Sequence, residues 1–203
     1  MTRVIFRKII ITLVALAVAT PAVAQLYSEG YRFLQAVKNR EGEEATELLN
    51  DPGSTVINAR DLSTGETGLH LTVARRDLTW TRFLLQEDAN PNIADNQGRT
   101  PLIIASQLGW VEGVSALIEA GARIDVANET GETPLISAVH ARNVELIAVL
   151  VEAGANPDRT DNTGRSAREY ASQPGMSSRV LSAIVDNEPD DSDGSGGTYG
   201  PDF

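Results

Sequence analysis

The side chains able to do chemistry are few. The 203-residue chain has two histidines, His70 and His140, and no Cys. Without Cys there is no thiol nucleophile, no disulfide and no thiolate ligand for zinc or an iron–sulfur centre. No His-Glu-x-x-His, Gly-x-Ser-x-Gly or glycine-rich phosphate loop occurs, so the spacings that serve zinc hydrolysis, serine acyl transfer and nucleotide binding are missing. Glu112, Glu145 and Glu152 fall on the polar faces of helical patterns, the ordinary place for a solvated charge. Asp190-Asp191-Ser192-Asp193-Gly194 has the look of a calcium loop. Pro189, however, stands at the first ligand place and Gly200 where the closing Glu belongs. The expectation is a protein with no catalytic residues, no cofactor and no metal.

Charge narrows the partners. Lys and Arg number 17 against 28 Asp and Glu, a net −11, and aromatics make up 5%. That balance argues against nucleic acid, which needs clustered cations and stacking rings. Residues 1–24 read as a secretory signal: Arg3, Arg7 and Lys8, an apolar run from Ile9 to Ala19 broken only by Thr12, then Pro21 and Ala22-Val23-Ala24. Eleven residues are too few to span a bilayer core, which takes about 20. Cleavage between Ala24 and Gln25 is expected, leaving 14 Lys and Arg against 28 acids. The product is then periplasmic or secreted, with no membrane insertion, and the short leader suits a Gram-negative bacterium. Residues 186–203, with six acids and no cations, read as an acidic disordered tail.

What must position any site is a repeat. Gly65, Gly98, Gly131 and Gly164 stand at intervals of 33. Thr67, Thr100, Thr133 and Ser166 share the next column but one, and Gly68, Pro101, Pro134 and Ala167 the column after it. Leu84, Leu117 and Leu150 align further on, as do Ala89, Ala122 and Ala155. A period of this size marks stacked helical units. Thr caps a helix, Pro at its first turn loses no hydrogen bond, and Gly121 and Gly154 end the second helix of a pair. A lone pair cannot cover its apolar side, so neighbours must.

These residues resemble the ankyrin repeat: Gly65-Glu66-Thr67-Gly68-Leu69-His70, Gly98-Arg99-Thr100-Pro101-Leu102 and Gly131-Glu132-Thr133-Pro134-Leu135, with Gly121-Ala122 and Gly154-Ala155 after the second helices. The resemblance, to exported bacterial members in particular, implies an all-α solenoid of helix-turn-helix units with short β-turn loops. It divides the repeat domain, residues 25–185, into a divergent cap at about 29–61, central copies at about 62–94, 95–127 and 128–160, and a closing cap at 161–185. Tyr31, Phe33, Leu34, Ala36, Val37, Leu48 and Leu49 are read as the core of the first cap. Tyr170, Ala171, Val180, Leu181, Ile184 and Val185 close the other end. Leu62 and an extra residue distort the first turn.

The resemblance also implies a partner protein on the concave side, where turn tips and first helices meet. The columns fall on Glu66 and Arg75 in the first copy, Gln97, Arg99, Gln107 and Leu108 in the second, Glu129, Glu132 and His140 in the third, and Arg165 in the closing cap. Arg75, Arg99 and Arg165 are the expected charged anchors, since Arg is frequent at interface hot spots. His70 takes the family's structural histidine place. Trp80 is read as packing. Trp110 either covers a neighbouring helix or stands out as an exposed anchor. The expected function is a monomeric, non-enzymatic binder acting as scaffold, inhibitor or immunity protein, or enzyme helper. The alternative is a passive structural or self-associating envelope module.

Overall fold

The computed structural model describes residues 28–189. The leader and residues 190–203 of the acidic tail lie outside the described residues. Within them the chain forms ten α-helices and no strand. They are α1 (Glu29–Asn39), α2 (Gly42–Asn50), α3 (Gly68–Ala74), α4 (Leu78–Gln86), α5 (Pro101–Gln107), α6 (Val111–Glu119), α7 (Pro134–His140), α8 (Val144–Glu152), α9 (Ala167–Ala171) and α10 (Ser178–Val185). A single 3-10 turn, Val56–Asn58, closes the first cap. Odd-numbered helices pack in one inner row from α1 to α9, and α4, α6, α8 and α10 pack in an outer row.

Local chemistry starts each inner helix. The Thr100, Thr133 and Ser166 hydroxyls accept from the N–H of Ile103 (3.4 Å), Ile136 (3.2 Å) and Glu169 (3.2 Å). Losing such a cap costs about 1 kcal/mol. Pro101 and Pro134 hold the first helical position, where a missing N–H costs nothing. In α3, Gly68 stands where the later copies have Pro, and a Cβ there would lie 3.2 Å from Leu84 Cδ1 of its own copy and 3.5 Å from Phe33 Cε1 of the first cap. The turn glycine before α7, Gly131, has φ +81°, and an added Cβ would meet the next turn's Asn162 N at 2.5 Å. That place has to be bare for the turns to stack.

The core runs along the stack in two stretches. Phe33, Val37, Leu48, Leu69 and Leu84 belong to one, and Leu102, Leu117, Leu135, Ile147, Leu150 and Ile184 to the other. Each such side chain, fully buried, stabilises by about 1.5–3 kcal/mol. Between the stretches lies a buried polar pair in the first central copy. Thr81 donates to Thr72 (3.1 Å), which donates to the Leu69 carbonyl (3.2 Å), in columns that elsewhere hold Ala105 and Val114. Its bonds are satisfied, so it interrupts apolar contact without an unpaired group.

Three readings of the caps and columns need correction. Tyr31 is 43% exposed and Val185 52% exposed. Each lies off the stripe that its helix buries: Phe33, Leu34, Ala36 and Val37 in α1, and Val180, Ala183 and Ile184 in α10. Trp110 is only 7% exposed and belongs to the core, so it is no exposed anchor. The outer helices of its neighbours begin with capping side chains, Asp77 to Trp80 N (3.2 Å) and Asn143 to Leu146 N (3.1 Å). Trp110 cannot cap. Its indole lies instead over Gly113, filling the space that a Cβ would take. The bulk that the first copy carries at Trp80 thus enters the second one helical turn earlier.

In an open helix Gly→Ala gains about 1 kcal/mol. Gly113→Ala would put its methyl 2.0 Å from the Trp110 ring, and such overpacking costs about 1–3 kcal/mol. The urea midpoint should therefore fall; a midpoint at or above that of the parent would show that Trp110 is not seated there.

Candidate interaction surface

The turns that precede α3, α5, α7 and α9 are built alike. Each opens on a short polar side chain that gathers the N–H groups ahead of it. Asp61 accepts from Ser63 N (2.8 Å) and Thr64 N (2.9 Å), and Asp95 from Gln97 N and Arg99 N (both 2.9 Å). Asn128 accepts from Thr130 N and Glu132 N (both 3.0 Å), and Asp161 from Thr163 N (2.8 Å) and Arg165 N (3.1 Å). The first turn holds one residue more, Asp61 to Gly65 against Asp95 to Gly98, and its Leu62 projects free of contact, as the extra residue leads one to expect.

Turns also bind to one another. Asn96 donates to Thr64 O (2.9 Å) and Ser63 O (3.0 Å), and Asn162 to Thr130 O (3.1 Å) and Glu129 O (2.8 Å). Beneath them His70 is fully buried. Its Nδ1 accepts from Thr67 N (3.0 Å), so its Nε2 donates to the Arg99 carbonyl of the next copy (3.0 Å). Burial pushes this imidazole below its ordinary pKa, outweighing the bond to Arg99 O. The Ser63 hydroxyl and the N–H groups of Thr64 and Ser63 hold Asp61 down to about 2. Burial alone would raise Asp161, but the hydroxyls of Thr163 and Tyr170 and two backbone N–H groups hold it well below the carboxylate range. Asp95 is held down likewise, by Arg99 and Gln97 against the effect of burial.

Two of the three expected anchors are spent inside the protein. Arg75 Nη1 donates to Val37 O (2.7 Å) and Lys38 O (3.3 Å), and its Nε pairs with Asp77 (3.2 Å), with the Trp80 ring beside it. It closes the exposed end of α1 on its neighbour. Arg99 neutralises the buried Asp95 at 2.6 Å. Leu108 is half-buried against the core, and its carbonyl accepts from Arg76. Glu66 is half-buried and takes the Thr64 hydroxyl (3.1 Å). Gln97 and Glu129 stand exposed on the tips.

The remaining predicted residues come together. Gln107 Nε2 donates to Glu132 Oε2 (3.3 Å), and Glu132 Oε1 lies 3.5 Å from His140 Nδ1. The His140 ring, 46% exposed, meets Tyr170 edge-on at 4.6 Å between centroids. Arg165 lies over the Tyr170 ring at 5.9 Å, and the Tyr170 hydroxyl donates to Asp161 (2.7 Å). One polar and aromatic run thus crosses three consecutive copies on the inner side. Tyr170, read as part of the closing core, is half-buried and packs against that core as well as joining the run. Its column holds Leu71, Ile104 and Ser137, and the small Ser137 beside it was the available sign that a ring would find room on that face.

Ser137, His140 and Glu132 have the residue types of a hydrolytic triad, but the wiring is wrong for one. Ser137 is buried and donates to Glu132 (2.8 Å) rather than to histidine, so no imidazole faces the hydroxyl as that relay requires. Among the described residues no group of three His, Cys, Asp or Glu could hold a metal ion. What the run can do is present ordered donors, an acceptor and two aromatic edges.

Comparison with known proteins agrees with the geometry. The family described as ankyrin repeats in three copies matches residues 33–128, and the single ankyrin repeat matches residues 130–162. Oxysterol-binding protein homolog 1 of Saccharomyces cerevisiae is 34% identical over 73 residues, 34% of this chain and 6% of that protein. Neurogenic locus notch homolog protein 1 of Homo sapiens is 38% identical over 72 residues, 34% of this chain and 3% of that protein. The chain therefore spans only a small part of the curated relatives that it matches.

The turn network sets the pH dependence of stability. Because His70 sits below its ordinary 6.5 when folded, the unfolded chain takes up a proton first as pH falls. Stability should decline below about pH 6.5 and level off under the folded pKa. A second loss should follow below about pH 4, where the unfolded forms of Asp61, Asp95 and Asp161 protonate before the folded ones. Urea midpoints across this range check both. His70→Gln should flatten the upper step and Asp161→Asn should shrink the lower one; unchanged profiles would contradict the assignment.

Proposed function

The chain belongs to the ankyrin-repeat family, whose repeats form protein–protein interaction modules, and from that premise we propose an exported, non-enzymatic binder that holds one partner protein against its inner face. The run from Gln107 through Glu132, His140 and Tyr170 to Arg165 carries this reading. It spans three copies on a rigid frame, so its side chains meet a partner with little further ordering cost. Mixed donors, acceptors and aromatic edges suit a protein surface. The leader pattern of residues 1–24 supports action in the periplasm or outside the cell. Scaffolding, inhibition and assistance to an envelope enzyme all follow from such a contact.

The experiment is a cross-linked pull-down from the native envelope fraction with the tagged full chain, identifying captured proteins by mass. One dominant partner is expected, held by a bait whose N-terminus is Gln25. Gln107→Ala, His140→Ala and Arg165→Ala change exposed side chains only. Together they should weaken that partner by about tenfold or more, as loss of interface anchors does, with an unchanged urea midpoint. Full retention of the partner would contradict the inner-face reading, and capture of the chain's own copies alone would favour a self-associating module.

A further inference from the structure

The buried faces of α3 and α4 carry a second pattern. Three of their positions are polar where the next two copies are apolar. His70 stands where Ile103 and Ile136 follow, Thr72 where Ala105 and Ala138 follow, and Thr81 where Val114 and Ile147 follow. All three side chains are fully buried. Thr81 bonds to Thr72, and Thr72 to the Leu69 carbonyl, so both hydroxyls are spent inside their own copy. Among the described residues, what α1–α4 contribute to the second stretch of core is Val73 with the half-buried Leu78 and Leu85.

The same joint is fastened by polar bonds. Arg60 Nη2 donates to Ala94 O (2.8 Å), Arg76 to Leu108 O, and Asn96 to the Thr64 and Ser63 carbonyls. Arg60, Arg76 and Asn96 are exposed, so water competes for these bonds. The buried one is His70 Nε2 to Arg99 O (3.0 Å). It holds with a neutral ring, because Nδ1 is the acceptor for Thr67 N (3.0 Å). The charged groups facing this ring are Glu66 of its own turn and Asp95 and Arg99 of the next, and the last two are paired with each other (2.6 Å). Little buried hydrocarbon and many exposed hydrogen bonds mark a place where a fold opens locally.

We propose that this joint is an acid-sensitive opening point, at which α1–α4 come away as one unit while α5–α10 stay folded. A proton on His70 Nδ1 would take the acceptor from Thr67 N, and burial disfavours the charged ring. The opened unit therefore takes up the proton first, and acid favours opening. The run from Gln107 to Arg165 lies wholly beyond the joint, so opening would remove the first cap and first copy without dismantling it. A stack of equal joints would fray instead from its ends, and the closing cap, where α9 has five residues, would be the first to go.

The test uses the two tryptophans of the full chain, since Trp80 lies before the joint and Trp110 beyond it. His140→Gln in every sample leaves His70 as the one imidazole. Trp110→Phe then reports α1–α4 through Trp80, and Trp80→Phe reports the rest through Trp110. At about pH 7.5 the Trp80 urea midpoint should lie below that of Trp110 by about 0.5 M or more. At about pH 5.5 it should fall further while the Trp110 midpoint holds. Thr72→Ala with Thr81→Val, the residues of the next copy, should close at least about half of the gap. Amide exchange on the parent needs no substitution, and α3 should exchange about tenfold or more faster than α5 and α7. The proposal is overturned if α3 is protected as well as α5, or if the Trp80 midpoint equals or exceeds that of Trp110. An equal shift of both midpoints in acid, or a gap unchanged by the threonine substitutions, overturns it as well.

Discussion

Everything in this molecule depends on contact between neighbouring copies. No helix pair here covers its own apolar side: Leu102, Leu135 and Ile136 of the inner row are buried only because another inner helix lies against them. The contact is written twice, once in hydrocarbon and once in polar bonds. His70 to the Arg99 carbonyl, Asn96 to Thr64, and Asn162 to Thr130 fasten each turn to the next. Hydrophobic stacking supplies the larger part of the stability and is tolerant of register. The hydrogen bonds, being directional, fix how the turns line up, and so fix the surface that they present.

That division explains what could be read in the sequence. The 33-residue spacing of Gly65, Gly98, Gly131 and Gly164 revealed the architecture because each glycine answers a backbone constraint that recurs in every copy. The columns did not reveal which polar side chains would be consumed. Arg75 and Arg99 stand in places that face outward, yet one closes α1 and the other neutralises a buried carboxylate. Those roles depend on what lies within reach in the neighbouring turn or helix, which column position does not encode. Trp110 stayed open between packing and exposure for a related reason. Its column is polar in the adjacent copies, and only the bare Gly113 one turn later made room for an indole. Arg168 breaks the leucine column of the closing cap and instead pairs with Asp158 (2.8 Å) and Glu188, carrying ordered contacts three residues past the boundary that composition drew at Val185.

The same physics separates frame from surface. Side chains whose bonds close within the stack have little left for a partner. Glu132 and Tyr170 are intermediate cases, bonded on one side and open on the other, and they hold His140 and Arg165 in fixed positions at the surface. A rigid frame that positions a few exposed groups is what a selective binder needs. The buried Thr72–Thr81 pair lies where the two stretches of buried core meet, with the half-buried Leu85 packed against both. It places the continuous part of the core under the copies that carry the inner-face run.

The central claim, that the inner side of the last three copies is the binding face, is tested most directly by amide hydrogen exchange on the free protein and on its complex with the captured partner. The account predicts added protection in the turns before α7 and α9 and along α5 and α7, with the outer helices α6 and α8 unchanged. Protection confined to the outer row, or to the first cap, would contradict it.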